Sequence, residues 1–438
     1  MSAILSLVLL SLAVAYAVLR DGAVELHDWQ TTLIGIAIAG FSFWAVNRPD
    51  ATQNRNHPNL IYYLLAAMLG LAILQIVPLP VGLVSLLSPQ RAAEAQSLLP
   101  FLGSAPGFAT LSAVPLATRE KVVTLFSYVL VYLLVRQLAG KFKDALWIPV
   151  FPLVIVGTME GALGVFQASS GLEISSGTFV NRNHYAGLLE MCLPLTVMVG
   201  VNMLSRNQDR FSSPLKPALL SCLFFGASAI MMLGIVRSSS RMGFIAAILS
   251  LFVMATTAIV VSSRGSGKLR LIPVAVLALF FAAAFILLPT DRLAERFASM
   301  ASSDDKEDAD SRLEYWRQTV PLVKAYPVSG CGLGAYESCF MPYKAVAAEQ
   351  TVDYAHNDYM QILAEFGFTG FAVVIAILLL IYTRAFHNYS VGKADSAIAL
   401  GCVGALTAIM MHSTADFNLY IPANGLVVAW VAGLVRDA

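Results

Sequence analysis

The sequence predicts an all-α polytopic membrane protein with about 12 transmembrane helices and one large loop outside the membrane. Three observations support this fold class. Hydrophobic residues make up 58% of the 438 residues, above the roughly 45–50% of a soluble domain. Charged residues make up 13%, about half the usual ~25%, which is too few to cover a soluble surface. Apolar stretches of about 20 residues, the length that crosses a bilayer core, recur along the chain.

Twelve stretches fit a transmembrane helix in length and composition. The first is interpreted as a retained helix and not a cleaved signal peptide, because no Lys or Arg precedes Arg20. The second is short and residues 79–88 could lie at the membrane interface, so eleven or thirteen spans also stay open. The predicted spans are 2–19, 30–46, 60–78, 122–139, 146–167, 184–204, 217–236, 242–261, 270–289, 367–383, 397–415 and 420–435.

The distribution of positive charge predicts the orientation. With the N-terminus inside, fourteen Lys and Arg residues fall on the cytoplasmic side and only four fall in the short outer loops. Positive loops resist translocation, so both ends of the chain are predicted to be cytoplasmic. The overall net charge of +1 excludes a basic nucleic-acid surface, and no nucleic-acid partner is expected.

The predicted organisation has three parts. Residues 1–289 hold transmembrane helices 1–9, residues 290–366 form the large outer loop, and residues 367–438 hold helices 10–12. The loop, extended to Gly367, carries 13 of the 27 acidic residues and begins with an acidic run at 302–310. Short helices are predicted near 311–325 and 356–366. A loop of this length with its own helices is typically functional.

Ionisable residues are costly near a bilayer, and here most of them gather at the outer side. His412 and Asp416 are four residues apart and are expected on one helix face, where they could also form a pair that locks two helices. The arginines could instead anchor helix ends at lipid headgroups, and Glu160 and Glu190 could pair with them or contact substrate. His356 by itself could be an ordinary surface histidine. The candidate cluster is Glu160, Arg182, His184, Glu190, Arg237, Arg241, Arg312, Arg317, His356, His412 and Asp416.

Three other motifs carry weaker signals. Asp308-Ala309-Asp310 has a metal-binding spacing but lies in the acidic run without nearby His or Cys ligands, so no metal site is predicted. The glycine-rich segment 330–334 follows no strand, so tight turns near a substrate fit better than a dinucleotide site. Cys331 and Cys339 share the outer loop and could pair in an oxidising compartment.

The residue types in the cluster indicate a class of chemistry. Arginine grips phosphate through two parallel hydrogen bonds and keeps its charge near lipid. Histidine suits a general base that takes a proton from an attacking hydroxyl. Together they predict group transfer from a lipid-linked pyrophosphate, with the arginines stabilising charge on the leaving phosphate.

Five ordered blocks between about residues 150 and 430 resemble the O-antigen ligase and polymerase superfamily. Residues 179–187, FVNRNHYAG, are similar to its F-x-N-R-N-H-[FY]-A-G signature. The segment 240–243, SRMG, resembles its S-R-x-G turn, and 355–361, AHNDYMQ, resembles the end of its periplasmic loop. The other two similar blocks are 311–316, which leads into the glycine run, and 412–424.

This resemblance implies a GT-C-like fold in the bacterial inner membrane, with an active site facing the periplasm. Family members move a glycan from undecaprenyl pyrophosphate to an acceptor hydroxyl, with inversion and without a metal or other cofactor. His356 would be the base, Arg241 and Arg312 would hold the pyrophosphate or orient donor and acceptor, and Arg182 would contact the donor. His184, Arg237, His412 and Asp416 complete the candidate substrate-binding set. Expected partners are the lipid-linked donor, a glycan or lipid acceptor, the bilayer and other polysaccharide export or chain-length proteins.

The acceptor stays open between three alternatives. It could be another lipid-linked repeat, as in an exopolysaccharide or O-antigen polymerase, or lipid A–core, as in an O-antigen ligase, or a protein hydroxyl. The resemblance favours the polymerase. A transporter or flippase for lipid-linked glycans is the alternative from another class, but it would be expected to show two related halves, which the sequence lacks.

Overall fold

The computed structural model describes residues 2–47, 59–97, 99–104, 106–143, 145–206, 215–262, 303–345, 351–392 and 396–436. Within the described helices, the side chains of residues 2, 101–102, 205–206, 262 and 303–311 fall outside the description. The helices are α1 (Ser2–Leu19), α2 (Leu26–Val46), α3 (Leu60–Leu74), α4 (Val81–Leu87), α5 (Pro89–Ser97), α6 (Leu99–Leu102), α7 (Pro115–Lys141), α8 (Trp147–Ser169), α9 (Arg182–Arg206), α10 (Leu215–Ser238), α11 (Arg241–Ser262), α12 (Ser303–Ala325), α13 (Tyr336–Phe340), α14 (Asp358–Ser390), α15 (Ser396–His412) and α16 (Pro422–Leu434). Two short strands, β1 (Leu79–Pro80) and β2 (Phe108–Ala109), pair antiparallel.

The helices confirm the predicted all-α polytopic membrane fold. Among the described residues, seven helices are long and apolar enough to cross a membrane, and α1, α3, α15 and α16 are shorter apolar helices. These eleven helices coincide with eleven of the predicted spans. The predicted ninth span, 270–289, lies outside the described residues, as do the basic loop residues 264–270. The proposed division of the chain at residues 289 and 366 stays a prediction.

The transmembrane helices pack around α9. This helix has contacts with α8, α10, α11, α15 and α16, and its Tyr185, Leu188 and Cys192 are fully buried. Lipid tails are as apolar as leucine, so close packing of small residues must hold such helices together. On α8, Gly161 is one such residue, because a Cβ there would lie 3.0 Å from the backbone of Met231 on α10.

The segments that follow α3 and α12 form one layer, called the outer layer, at the end of the bundle that is predicted to face away from the cytoplasm. The Ser112 N–H donates to the Gln75 carbonyl at 2.9 Å, and the Ala113 N–H donates to the Cys331 carbonyl at 2.8 Å. The Gln75 side chain donates to the Ser329 and Glu365 carbonyls and accepts from the Leu333 N–H. The predicted interfacial segment 79–88 is part of this layer, as β1 and α4.

A second set of polar contacts lies at the opposite end of the bundle. Arg136 donates to the Tyr62 hydroxyl and to the Val435 carbonyl, near the end of the chain. Arg384 donates to the side chain of Asn59, which begins α3. Arg136 and Arg384, two of the positive charges predicted to be cytoplasmic, therefore lie at the end away from the outer layer.

Two helices differ from their predicted limits. The helix expected near 311–325 begins already at Ser303, so the acidic run is helical from that residue. The helix expected at 356–366 continues into the next span as α14, with a break at Gly367, where φ is 64° and ψ is −176°. Such a backbone conformation is open almost only to glycine.

Candidate active site

The chain between α15 and α16 is tied to the start of α14 by a set of hydrogen bonds. The Asp358 N–H donates to the Ser413 carbonyl at 2.9 Å and to the Asp416 carbonyl at 3.1 Å. The Asp358 carboxylate accepts from the Ser413 hydroxyl at 2.7 Å and from the Leu419 N–H at 3.2 Å. The residue just before Asp358, Asn357, caps α14 and donates to the Thr414 carbonyl at 2.9 Å. These bonds place His356 directly against the 413–419 segment.

His356 adopts a strained backbone conformation. Its φ is +49°, a region that side chains other than glycine rarely occupy. The preceding residue, Ala355, is held from both sides, since its carbonyl accepts from the Trp316 indole at 2.9 Å and its N–H donates to Gln361 at 2.7 Å. Strain of this kind persists where surrounding contacts over-determine it, and it concentrates at functional sites.

Asp416 brings two of the predicted histidines together. Its Oδ1 lies 3.7 Å from Nε2 of His184 and 4.0 Å from Nδ1 of His356. Oδ1 also accepts a hydrogen bond from the Phe417 N–H at 2.8 Å. The Phe417 ring packs edge-on against both imidazoles, with centroid distances of 4.8 Å and 5.0 Å. His356 remains about a third exposed, whereas Asp416 is buried beneath the two rings.

The charges around Asp416 keep it ionised. Burial by itself would raise the pKa of Asp416, but the imidazole of His184 and the positive charges of His412 and Arg312 outweigh burial. They hold the pKa well below the usual range of a carboxyl group. Asp416 is therefore a buried carboxylate that can orient and stabilise a protonated imidazole.

Arg312 and the start of α12 complete this side of the site. An Nη1 atom of Arg312 donates to the Ala415 carbonyl at 2.9 Å, next to Asp416. One turn further along α12, Trp316 holds Ala355 as described above. The predicted proximity of Arg312, His356 and Asp416 is thus present in the structure.

Arg182 and Arg241 begin neighbouring helices at the same end of the bundle. Asn181 accepts from the Asn183 N–H at the start of α9, and Ser240 accepts from the Gly243 N–H at the start of α11. The two helix starts touch, because a Cβ at Gly243 would lie 2.5 Å from Cβ of Ala186. Helix N-termini attract anions, so two of them with an arginine each form an electropositive region.

Arg237 lies at this end too, but against a different segment. Its carbonyl accepts from the Ser175 N–H at 3.2 Å, in the connection between α8 and α9. His184 is held in place by Asn424 of α16, whose side chain donates to the His184 carbonyl at 3.0 Å.

The prediction that His412 and Asp416 share one helix face is wrong. Helix α15 ends at His412, and a turn follows in which the Ala415 N–H donates to the His412 carbonyl at 3.0 Å. This turn points Asp416 toward His184 and His356. His412 instead lies inside the bundle, with Nδ1 at 3.1 and 3.0 Å from the two carboxylate oxygens of Glu190.

The two glutamates also contact other residues than expected. Both His412 and Glu190 have fully buried side chains, so Glu190 pairs with a histidine of α15 and not with the outer arginines. Glu160 binds the Thr178 N–H at 3.0 Å and the Thr178 hydroxyl at 2.9 Å. Glu160 therefore holds the turn that precedes α9, a contact that composition and spacing could not indicate.

The weaker sequence motifs have structural outcomes as well. Gly330, Gly332 and Gly334 all have positive φ and form tight turns against the start of α14 and against α7, as predicted. Cys331 and Cys339 are buried free thiols, and thus unpaired in the structure. The side chains of the Asp308-Ala309-Asp310 motif lie outside the described residues. In the part of the chain that the structure describes, no three His, Cys, Asp or Glu side chains form a metal-binding group.

Sequence reasoning missed the residues that hold His356, His184 and the 413–419 segment together. Asp358 and Asn357 tie His356 to the 413–419 segment, and Asn424 ties that segment to His184. Tyr354 stacks on Phe417 with a centroid distance of 4.1 Å. A signal was present, because Asn357, Asp358 and Asn424 are polar residues inside the similar blocks, but their partners lie far away in the sequence.

Comparison with known proteins adds an independent observation. The family model described as O-antigen ligase matches residues 226–375. This match supports the resemblance of the chain to the O-antigen ligase and polymerase superfamily. No curated protein matches the chain.

The match locates part of the candidate site within the region shared with the O-antigen ligase family. Its range includes Arg241, Arg312 and His356, whereas His184 and Asp416 fall outside it. The family is glycosyltransferase-like and acts on lipid-linked glycans at a membrane. The apolar helices indicate a multi-pass membrane protein, and the match supports, at a coarse level, an enzyme of the O-antigen ligase or polymerase type.

Proposed function

We propose that the protein polymerises exopolysaccharide or O-antigen repeat units on the periplasmic face of the bacterial inner membrane. In each cycle a glycan leaves undecaprenyl pyrophosphate and joins an acceptor hydroxyl. The observation that carries this proposal is the approach of His356 to the buried carboxylate of Asp416, at 4.0 Å, beside the Arg312 anchor on Ala415. A partly exposed imidazole backed by a carboxylate is the arrangement of a general base.

The proposed step needs one base and one leaving group. Nδ1 of His356 faces Asp416, so Nε2 is the ring nitrogen that accepts the proton of the acceptor hydroxyl. As the proton leaves, the acceptor oxygen bonds to the anomeric carbon, and the bond from that carbon to the pyrophosphate oxygen breaks. The electron pair of the broken bond stays on the pyrophosphate. Asp416 stabilises the imidazolium that forms.

The arginines suit the other half of the reaction. Charge accumulates on the departing pyrophosphate, and preorganised guanidinium groups stabilise such charge without reorganising. Arg182 and Arg241 stand at two touching helix N-termini, and Arg312 stands next to Asp416. The proposal gives Arg241 and Arg312 the pyrophosphate and Arg182 a further donor contact. It gives His184, which shares Asp416 with His356, a contact to the acceptor.

An inverting mechanism without a covalent intermediate fits the position of the carboxylate. Asp416 lies under two imidazoles and the Phe417 N–H, so it does not present an oxygen to attack a sugar. We further propose that no metal takes part, because the guanidinium and imidazole groups supply both the charge and the base. Chain-length or export proteins are proposed partners.

The decisive experiment incubates the purified protein with one lipid-linked repeat unit alone. Lengthening of the lipid-linked product supports the polymerase. A glycan that moves only after lipid A–core or an acceptor protein is added supports the ligase or protein transferase, and overturns the polymerase. Movement of intact lipid-linked glycan across a vesicle membrane, without a new glycosidic bond, identifies a transporter and overturns both.

The ligase is the second candidate because one observation favours it. The family model that matches residues 226–375 carries the description O-antigen ligase. A ligase would use the same base and the same arginines, and only the acceptor would differ.

A further inference from the structure

A cavity of about 200 Å³ lies between helices α3, α7, α14 and α16. It is separate from the histidine cluster, the group formed by His184, His356 and Asp416. Its walls are almost wholly apolar and include Leu65 and Met68 of α3, Ile377 and Ile381 of α14, and Ala429 of α16. We call it the apolar cavity. It is larger than the voids that a well-packed helix bundle tolerates, because unfilled space forfeits dispersion contacts on every wall.

Packing of α16 on α7 explains why this space is kept. Gly425 and Gly433 bring α16 close to α7, since a Cβ at either position would overlap Tyr128 or the Tyr132 carbonyl region. Between these two contacts the wall of α16 includes the small side chains of Ala429 and Ala432. A small residue at each of these positions leaves room that a leucine would fill.

Among the described residues, one charged side chain, that of Lys121, lines the apolar cavity at its outer end. The ammonium of Lys121 lies 5.6 Å from the ring centroid of Tyr420, and both residues line the cavity. The nearby carboxylate of Glu365 is already held by the Tyr336 N–H and the Tyr420 hydroxyl. A single cation at the mouth of an otherwise uncharged cavity complements an amphiphile that has one anionic end and an apolar chain.

The dimensions fit one chain in the outer half of a bilayer. Lys121 and Tyr132, at the two ends of the α7 wall, are eleven residues apart, or about 16 Å at 1.5 Å per residue. That length is about half of the ~30 Å hydrocarbon core.

The mouth of the cavity adjoins the histidine cluster through aromatic rings. Tyr420 lies 5.8 Å from Tyr354, Tyr354 stacks on Phe417, and Phe417 contacts His356. Arg241, by contrast, begins α11, whose main contacts among the described helices are with α9 and α15. Arg241 and most of the cavity therefore approach the base from different helices.

We infer that the apolar cavity holds the part of the acceptor lipid's polyprenyl chain that lies next to its phosphate, with that phosphate at Lys121. This inference rests on the proposed polymerase function and assigns the second of its two lipid-linked substrates. The donor pyrophosphate lies beside Arg241, and the acceptor hydroxyl reaches His356 past the rings of Tyr420, Tyr354 and Phe417. A single-chain lipid fits a cavity of this volume better than the several acyl chains of lipid A do.

Direct binding tests the site without any transfer reaction. The full-length protein in detergent is titrated with undecaprenyl phosphate and followed by native mass spectrometry. Ala429→Leu and Ala432→Leu fill the cavity and are each expected to weaken binding by about tenfold, the loss that roughly 1.4 kcal/mol produces. Lys121→Met is expected to weaken binding by a similar factor, and Lys121→Arg to restore most of it.

The matched control is Ala67→Leu, the same enlargement on the exposed face of α3. It is expected to bind undecaprenyl phosphate as the unaltered protein does. Unchanged binding in both filled variants, with unchanged melting temperatures, overturns the site. Equal binding of phosphatidylglycerol that competes with undecaprenyl phosphate also overturns it, because the cavity would then hold ordinary membrane lipid.

A kinetic measurement separates this inference from the proposed function. The acceptor is supplied with a methylene link to its pyrophosphate, so that its own glycan cannot leave. Ala429→Leu is expected to raise the KM for this acceptor several-fold and to leave the KM for the donor unchanged. A raised donor KM instead overturns the acceptor assignment. If the unaltered protein elongates nothing but the binding results hold, the proposed polymerase fails while the lipid site stands.

Discussion

Nδ1 of His356 lies 4.0 Å from Oδ1 of Asp416, although the two residues belong to different connections between helices. Backbone hydrogen bonds, and not the ion pair, set the distance between the two side chains. The Asp358 N–H donates to the carbonyls of both Ser413 and Asp416. A histidine that is about a third exposed is thus held over a buried carboxylate by a rigid support. The arrangement makes specific predictions about single residues.

Replacing His356 is expected to stop glycan transfer without unfolding the protein. His356→Gln keeps the size and polarity of the side chain but removes the base, so the transfer rate should fall by roughly 10²–10⁴-fold. Elongation of a lipid-linked repeat by the purified variant is the measurement. His27→Gln is the control, because the His27 side chain is 86% exposed and near the first helix pair. Normal elongation by His356→Gln would remove the base assignment.

Arg312 is expected not to tolerate even a conservative replacement by lysine. Arg312→Lys keeps the charge but loses the planar fork that reaches the Ala415 carbonyl and a pyrophosphate together, so it should be nearly as inactive as Arg312→Ala. The same result is expected for Arg241→Lys. Arg317→Lys on the same helix is the control, because that side chain is 78% exposed. Full activity of Arg312→Lys in the elongation assay would show that the arginine is only a charge anchor.

The buried side chains of His412 and Glu190 are expected to depend on each other for stability, because each is the charge partner of the other. His412→Leu or Glu190→Leu alone leaves its partner buried without a counter-charge, which costs about 3–5 kcal/mol. The double Leu variant should be more stable than either single variant. Thermal unfolding in detergent measures all three, with the exposed His387→Leu as the control. Additive losses in the double variant would contradict the pairing.

Asp416 is expected to contribute stability over a wide pH range. Its pKa in the folded protein is depressed, so its contribution is present above the ordinary carboxyl pKa of about 3.9 and is lost as the pH falls toward the folded value. Asp416→Asn should therefore lower the melting temperature by a few degrees at pH 7 and by the same amount at pH 5. The difference should shrink only below about pH 4. A difference that disappears between pH 7 and pH 5 would argue against a depressed pKa.

The break in α14 is expected to require glycine. Gly367 has φ of 64°, and a Cβ there would overlap the Val328 carbonyl, so Gly367→Ala should destabilise the outer layer by several kcal/mol. Gly70 of α3 is helical, with no atom within 4 Å of a Cβ, so Gly70→Ala should be neutral or slightly stabilising. Melting temperatures of the two variants compare the positions. Equal stability would mean that the chain bends elsewhere.

Removing metal ions is expected to leave transfer unchanged. The proposed charges come from guanidinium groups and the base is an imidazole, so a chelator should not alter the rate of elongation. Loss of activity in chelator, with recovery on adding a divalent cation, would return attention to the acidic residues near 304–310.

Local patterns were enough for much of the fold and for the choice of the candidate site residues. Eleven predicted spans coincide with apolar helices, because helix length and composition respond directly to a 30 Å hydrocarbon core. Arg241, Arg312 and His356 could be chosen from the sequence because charged residues near a bilayer need a reason to be there. The partner of each residue was harder to predict. His412 was expected to share a helix face with Asp416. The helix instead ends at His412, and the turn that follows it points the two side chains toward different partners.

The sequence by itself determined the membrane class, eleven of the spans and the family resemblance, since each follows from residues close together in the chain. Only the tertiary structure decided that Asp416 lies beneath His184 and His356, that Glu190 is bound by His412, and that α3, α7, α14 and α16 enclose an apolar cavity. These features depend on hydrogen bonds and packing between segments hundreds of residues apart. Their energies depend on geometry, and no local pattern encodes that geometry.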